Sequence, residues 1–249
     1  MLVLLPPSEG KAVGRRGRPL DLASLSYPEL TPVRAQLVEA LSQLAVDEPD
    51  ALQRALGLTD GQRSELDKDA RLRTAPTLPA GALYTGVVYD NLDLCSLQGA
   101  ARRRATTSLV VASALFGLLR PGDRVPSYRL SGATMLPGLG GLVPLWRPVL
   151  EPLLAKERGL VVDLRSGAYA QLARVPKAVE VRVLREVDGQ RTTVSHDNKW
   201  TKGRLARALC EHGARTVADV AAVGRGLADV VEVDGRRVDL VLHSLASAR

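Results

Sequence analysis

Aromatic residues are scarce in this chain of 249 residues: one Phe, two Trp and five Tyr. That argues against a single-strand nucleic-acid binder, in which successive bases stack on aromatic platforms. Cysteine is scarcer still. Cys95 and Cys210 stand far apart without Cys-x-x-Cys spacing, which excludes a disulfide framework and a zinc module and predicts two reduced, buried thiols. The three histidines, His196, His212 and His243, form no pair at helical spacing, so no metal site is expected. Long hydrophobic runs are missing too. "SLVVASALFGLL" is too short and too interrupted by Gly to cross a bilayer. The start, "MLVLLPPSEGK", lacks the basic flank and the length of a signal peptide and reads as a first strand. A cytoplasmic protein without a membrane partner is the expectation.

What is present is positive charge. The net charge is +7 and the pI about 9.8. Such a surplus attracts polyanions. A GC-biased codon supply, visible in the abundance of Arg, Ala, Gly, Leu and Val, produces the same surplus, so charge alone does not decide. Mean hydropathy near zero and 45% hydrophobic residues fit an ordinary globular fold.

The order of patterns predicts a mixed α/β (α+β) fold: one domain over residues 1–249, a central mixed sheet, flanking helices and two hairpins. "MLVLL" reads as a buried strand. Residues 28–73 read as a helical segment, with Val33, Leu37, Leu41 and Leu44 forming one apolar stripe. Tyr84-Thr85-Gly86 marks a turn onto a helix. "SLVVAS" and "GLVVDL" read as buried strands, and "YRL" as a short one. "PLWRPVLEPLLAKE" reads as a helix that Pro152 divides into two pieces. Asp188-Gly189 and Asp234-Gly235, each flanked by alternating apolar residues, predict hairpins. "WTKGRLARALCEHG" is an amphipathic helix closed by Gly213. "TVADVAAVGRGLADVV" looks like half of a helix-hairpin-helix module, but the segment that follows has a strand pattern instead of a second helix.

Polar loops follow the strands, and in sheet proteins such loops gather at one edge and bind ligands there. After "MLVLL" come Ser8, Glu9 and Lys11. After "SLVVAS" come Arg120, Asp123, Tyr128 and Arg129. After "GLVVDL" come Arg165, Ser166 and Tyr169. "HDNKWTKG" leads into a helix. Brought together, Lys11, Arg120, Arg129, Lys199, Lys202 and Arg204 would form a cationic cleft suited to phosphates. Each residue also has a plainer reading: Thr201 as a helix cap beside a solvated Lys199, Arg120 paired with Asp123 across a turn, the tyrosines as amphipathic fillers. "SEGKAVG" lacks the Gly-x4-Gly-Lys-Ser/Thr pattern of a phosphate loop. Ser113 and Ser166 lie outside a Gly-x-Ser-x-Gly elbow, which excludes the usual serine hydrolase.

Taken in order, "MLVLLPPSEGK", "YTG", "SALFGLLRPGDRVPSYRL", "VVDLRSGAY" and "NKWTKGRLAR" resemble the YaaA family of peroxide-stress-resistance proteins over most of the chain. Phe116 stands where the family has Tyr, and Ser127 where it has Pro. The resemblance implies one α/β domain with a basic cleft and a helix-hairpin-helix-like element. It also implies binding to duplex and branched DNA, and a role in limiting damage from hydrogen peroxide and free iron. Two acidic positions of the family are replaced, at Ser131-Gly132-Ala133 and at Gly167-Ala168, and Arg165 is gained, which predicts a more cationic cleft.

Two functional readings follow. In the first, the protein binds DNA through Lys11, Arg120, Arg129, Lys199, Lys202 and Arg204. In the second, it is an enzyme whose cleft holds a nucleotide- or nucleobase-like molecule among Tyr84, Ser113, Asp123, Tyr128, Ser166 and Tyr169, with Asp123 as acid/base and Arg129 or Lys199 as anion clamp. No residue pattern calls for a cofactor; a haem or purine ligand is compatible with the second reading. The shape of the cleft separates the two: an open groove fits a duplex, a ligand-sized void an enzyme.

Overall fold

The computed structural model describes residues 1–165 and 167–243, and at 195–197 the backbone alone. Strand β1 (Leu2–Leu5) is buried along its whole length, as its unbroken apolar sequence requires of a strand covered on both faces. A long crossover follows. It holds α1 (Thr31–Asp47), α2 (Pro49–Leu56), α3 (Leu66–Ala70), α4 (Ala80–Leu83), α5 (Val87–Leu92) and α6 (Gly99–Ser108). Leu37, Leu41 and Leu44 of α1 enter the core while Val33 stays at its margin. Gly86, at φ 95°, starts α5 after the Tyr84-Thr85 step.

Strand β2 (Leu109–Ser113) then pairs in parallel with β1, and β3 (Gly117–Leu119) turns back antiparallel to β2. "YRL" forms no strand; Arg129 N–H donates instead to the carboxylate of Asp69 at 2.8 Å. Helix α7 (Leu142–Ala155) is one continuous helix that contains Pro148 and Pro152, not two pieces. The reason lies in their spacing. Pro144, Pro148 and Pro152 recur every four residues on the exposed side, where water satisfies the carbonyls that lose their donors, while Leu142, Trp146, Leu150 and Leu154 form the buried side.

Strand β4 (Val161–Asp163) adds to the other side of β1. After the short α8 (Ala168–Gln171), β5 (Val179–Val187) pairs with β4 in parallel and turns through Asp188-Gly189 into β6 (Gln190–Thr192). Both turn residues have positive φ, the requirement that selects Asp-Gly at a two-residue hairpin. Then come α9 (Ser195–His212), α10 (Val217–Gly224) and the hairpin of β7 (Val230–Asp234) with β8 (Arg237–His243), which docks β8 in parallel on β5. The chain after α10 is strand, so 216–231 holds no second helix. The sheet order is β7-β8-β5-β4-β1-β2-β3, with β6 beside the end of β5. The fold is a single mixed α/β domain with an eight-stranded central sheet. No described helix is long and apolar enough to cross a membrane.

Two expectations about cysteine separate here. Both thiols are free, but only Cys210 is buried; Cys95 is exposed in the turn after α5.

Candidate functional site

β1 lies between β4 and β2, and the chain leaves its carboxyl end toward β2. The chain that leaves β4 travels the opposite way, toward β5. The carboxyl ends of β1 and β4 therefore form a topological switch point, where diverging loops leave a crevice. A cleft of about 640 Å³ lies there. The loop after β1 (Pro6–Gly10) forms one wall and Thr85–Val88 a second. Tyr169 with Ser131 forms a third, and Thr193, Asn198, Lys199 and Lys202 the fourth. β5 outruns β4, and its hairpin with β6 carries Thr193 and the start of α9 to this edge.

The walls are tied to each other. Thr85 N–H donates to Ser8 Oγ (3.2 Å) and Gly10 O (3.2 Å), and Tyr89 Oη donates to Pro6 O (2.7 Å). Gly203 lets α9 lie directly on α5: a Cβ there would stand 2.3 Å from the Val88 carbonyl oxygen. Tyr169 packs against Gly132, so the Ser131-Gly132-Ala133 segment borders this wall. Burial raises the Tyr169 pKa, which keeps it a neutral hydrogen-bond donor.

Lys11 lies behind the first wall. Its ammonium donates to Ser8 O (3.0 Å) and Glu9 O (3.4 Å) and sits 4.3 Å from the centre of the Tyr128 ring. Below it a buried relay links Tyr84 Oη to Tyr128 Oη (2.9 Å), Tyr128 Oη to Ser113 Oγ (2.7 Å), and Phe116 N–H to Ser113 Oγ (2.9 Å). Phe116 meets the Tyr128 ring edge-on. Burial, then Arg129, lowers the Lys11 pKa to about 8. Asp69 is fully buried; one oxygen accepts from Arg129 N–H and the other has no hydrogen-bond partner among the described residues. Burial raises its pKa to about 8 against the opposing pull of Arg129 N–H and Lys11.

Asp69 and Lys11 make stability depend on pH in opposite senses. The folded chain keeps the Asp69 proton up to about pH 8, whereas the unfolded chain releases it near 3.8. The contribution of Asp69 to stability therefore falls as pH rises between those values. Above about pH 8 the unfolded chain holds the extra proton on Lys11, up to 10.5, and stability recovers. Asp69→Asn, which keeps an acceptor for Arg129 N–H, should be relatively more stable at pH 8 than at pH 5. Thermal midpoints of both proteins across pH 5–8 check this; parallel curves would contradict it.

The structure assembles only part of the expected cationic cleft. Lys199 is exposed on its wall, and Lys202 lines it although only 5% exposed. Burial lowers the Lys202 pKa, partly offset by Asp163 and Glu180. Arg129 reaches Glu9 at 3.1 Å. Arg120 is elsewhere: β3 runs antiparallel, so it carries Arg120 to the far edge, where the guanidinium binds Thr107 O and stacks on Tyr27. Asp123 goes with it. Its carboxylate accepts from Ser26 N–H (3.0 Å), Ser26 Oγ (2.8 Å) and Arg120 N–H (2.8 Å), the work of a turn rather than of an acid/base group in the cleft. Arg204 stacks on Trp200 outside the cleft lining. Arg165 does not make the cleft more cationic. It is buried and grips Asp163 through Nε (2.9 Å) and Nη2 (2.7 Å). Thr201 is no cap, because the helix begins at Ser195. Ser113, Tyr84 and Tyr128 lie in the relay, and Tyr169 in the wall. Ser166 lies outside the described residues.

The sequence reading missed Asp69, Gly203 and Asn198. Asp69 sits in a polar helix and carries no motif. Gly203, in "TKGR", is a glycine inside an otherwise helical pattern, which signals close packing.

Fold and site together define an α/β protein with a cleft at the switch point of its sheet. The chain belongs to the family of the peroxide stress protein YaaA, whose model matches residues 1–226. It is 47% identical to a UPF0246 protein of Corynebacterium efficiens over 250 aligned positions, covering 97% of this chain and 99% of that one. It is 48% identical to a UPF0246 protein of Streptomyces coelicolor, covering 86% and 84%. A UPF0246 protein of Corynebacterium glutamicum is 44% identical, covering 93% and 95%.

Proposed function

We propose that the protein acts in peroxide-stress protection on a nucleotide-like small molecule held in the switch-point cleft. The observation that carries this reading is the form of the cleft. Its volume of about 640 Å³ falls in the usual range for small-molecule sites, roughly 300–1,000 Å³. Its lining combines apolar groups (Pro6, Pro7, Val87, Val88), a phenol (Tyr169) and two ammonium groups (Lys199, Lys202), the combination that suits a base, a sugar and an anion. A duplex site instead needs a row of exposed cations matching a row of phosphates. Here Lys11 is half-buried with its ammonium on Ser8 O, Lys202 is buried, Arg129 is paired and Arg120 is at the far edge. Tyr169 donates to the ligand as a neutral phenol, and Lys11, with Asp69 beside it, is the group able to change protonation near neutral pH.

Duplex or branched DNA, bound so as to limit damage from peroxide and iron, is the second reading. The net charge of +7 and the exposed Arg15, Arg16 and Arg18 on the loop after Lys11 favour it. Mass spectrometry of small molecules released from the purified protein, beside a salt titration of binding to a duplex and a four-way junction, separates the two. The first reading expects a released nucleotide- or nucleobase-like molecule and weak DNA binding that Lys199→Ala leaves unchanged. Steep salt dependence, which Lys199→Ala reduces by about one unit of log–log slope, with nothing released, would contradict it.

A further inference from the structure

A second cavity, of about 650 Å³, adjoins the cleft, and Thr193, Asn198 and Lys202 line both. It opens over β5 toward the β7–β8 turn. Its chemistry differs from that of the cleft. Among the described residues no aromatic lines it, and arginines crowd its rim. Several of those charges are already spent within the fold: Arg165 on Asp163, Arg237 on Asp234, and Arg182 on Asp239. Others are not. Arg236 uses Nη1 on Lys177 O (2.7 Å), and its side chain makes no ion pair among the described residues. The Arg174 side chain has no hydrogen bond or ion pair among the described residues; only its backbone N–H is engaged, with Glu151. Lys202, almost wholly buried, has a single long bond among the described residues, 3.4 Å to Arg165 O. Against these three cations the lining offers one carboxylate outside any ion pair among the described residues, Glu180. A buried ammonium with spare donors is costly unless an acceptor reaches it, and Lys202 stands where the two cavities meet.

We infer that the second cavity is the phosphate subsite of the ligand proposed for the cleft, so that the natural ligand is a nucleotide with a phosphate chain rather than a nucleoside or free base. This inference rests on the cleft reading. The base and sugar lie between Tyr169 and the Val87–Val88 wall, the chain passes Lys202, and its terminal phosphates reach Arg174 and Arg236. Arginine suits that end, since its planar fork binds two phosphate oxygens at once.

The test is calorimetric titration of matched nucleosides, nucleoside monophosphates and nucleoside triphosphates into the full chain at fixed salt. Arg174→Ala, Arg236→Ala and, as a charge control on the exposed face of α6, Arg103→Ala are compared with the wild type. The triphosphate should bind at least tenfold more tightly than its nucleoside. That gap should shrink several-fold in Arg174→Ala and in Arg236→Ala and persist in Arg103→Ala. A nucleoside that binds as tightly as its triphosphate, or a gap that Arg174→Ala and Arg236→Ala leave intact or that Arg103→Ala shrinks equally, overturns the subsite alone. Absence of binding by every nucleoside and nucleotide overturns the cleft reading with it.

Discussion

Gly203→Ala is expected to destabilise the fold and abolish ligand binding together. The new Cβ would stand 2.3 Å from the Val88 carbonyl oxygen and 2.8 Å from Asn91 Cβ. Neither neighbour is the free end of a flexible side chain, so α9 and α5 must separate. Alanine improves helix propensity by about 1 kcal/mol. Overpacking of a tight contact costs about 1–3 kcal/mol and at times more, and a backbone oxygen at this distance belongs at the upper end. We expect a net loss of about 2 kcal/mol and a fall in Tm of roughly 4–8 °C. The functional loss should exceed what that stability change explains. Lys199 and Lys202 ride on the same turns of α9, and their cleft wall moves with the helix. Differential scanning calorimetry with a binding titration at a temperature where the variant is folded checks both parts. An unchanged Tm would show that the two helices do not depend on this contact.

Arg165→Met is the second large effect. The sequence presents Arg165 as an added cleft cation, and on that view its removal would weaken anion binding and leave the fold intact. The structure places it under the cleft with 1% of its side chain exposed, forked on Asp163 and donating also to Tyr169 O (3.2 Å) and Ala173 O (2.9 Å). Its loss leaves Asp163 uncompensated and frees the segment that holds Tyr169. Breaking a buried pair from one side costs about 3–5 kcal/mol, a fall in Tm on the order of 10 °C. Asp163→Asn combined with Arg165→Met should recover part of that loss, because no lone charge remains. Chemical denaturation of the single and double variants measures the coupling. A loss under about 1 kcal/mol in Arg165→Met would return the residue to the solvent-facing role that the sequence suggests.

These two residues also mark how far the sequence can be read. The strands were legible because β1, β2 and β4 are short unbroken apolar runs between breakers, and the hairpins because Asp188-Gly189 and Gly235 supply positive φ where the turns demand it. In α7, Pro152 taken alone reads as a break. Its spacing from Pro144 and Pro148 places all three on the wet side of the helix. Among the residues singled out, Tyr169 lies on the cleft as the rule that loops after parallel strands share an edge requires, whereas Lys199 and Lys202 reach it on α9, after the antiparallel β6. Arg120 and Asp123 were misplaced because that rule fails for an antiparallel strand. β3 reverses direction after Phe116 and delivers the turn that holds Arg120 and Asp123 to the other edge. Nothing local in "LLRPGD" reports that reversal. Arg165 and Arg34 illustrate a second limit. Both are buried arginines whose partners are far-off carbonyls or a neighbouring carboxylate. Residue type alone assigns such side chains to the surface.

The most direct test of the account is a titration of a nucleoside monophosphate into the wild type and into Lys199→Ala, an exposed residue on the cleft wall whose replacement should leave the fold unchanged. The account predicts saturable binding at one site, at least fivefold weaker in Lys199→Ala at equal Tm. Absence of saturable binding in the wild type, or equal affinity in both proteins, would contradict it.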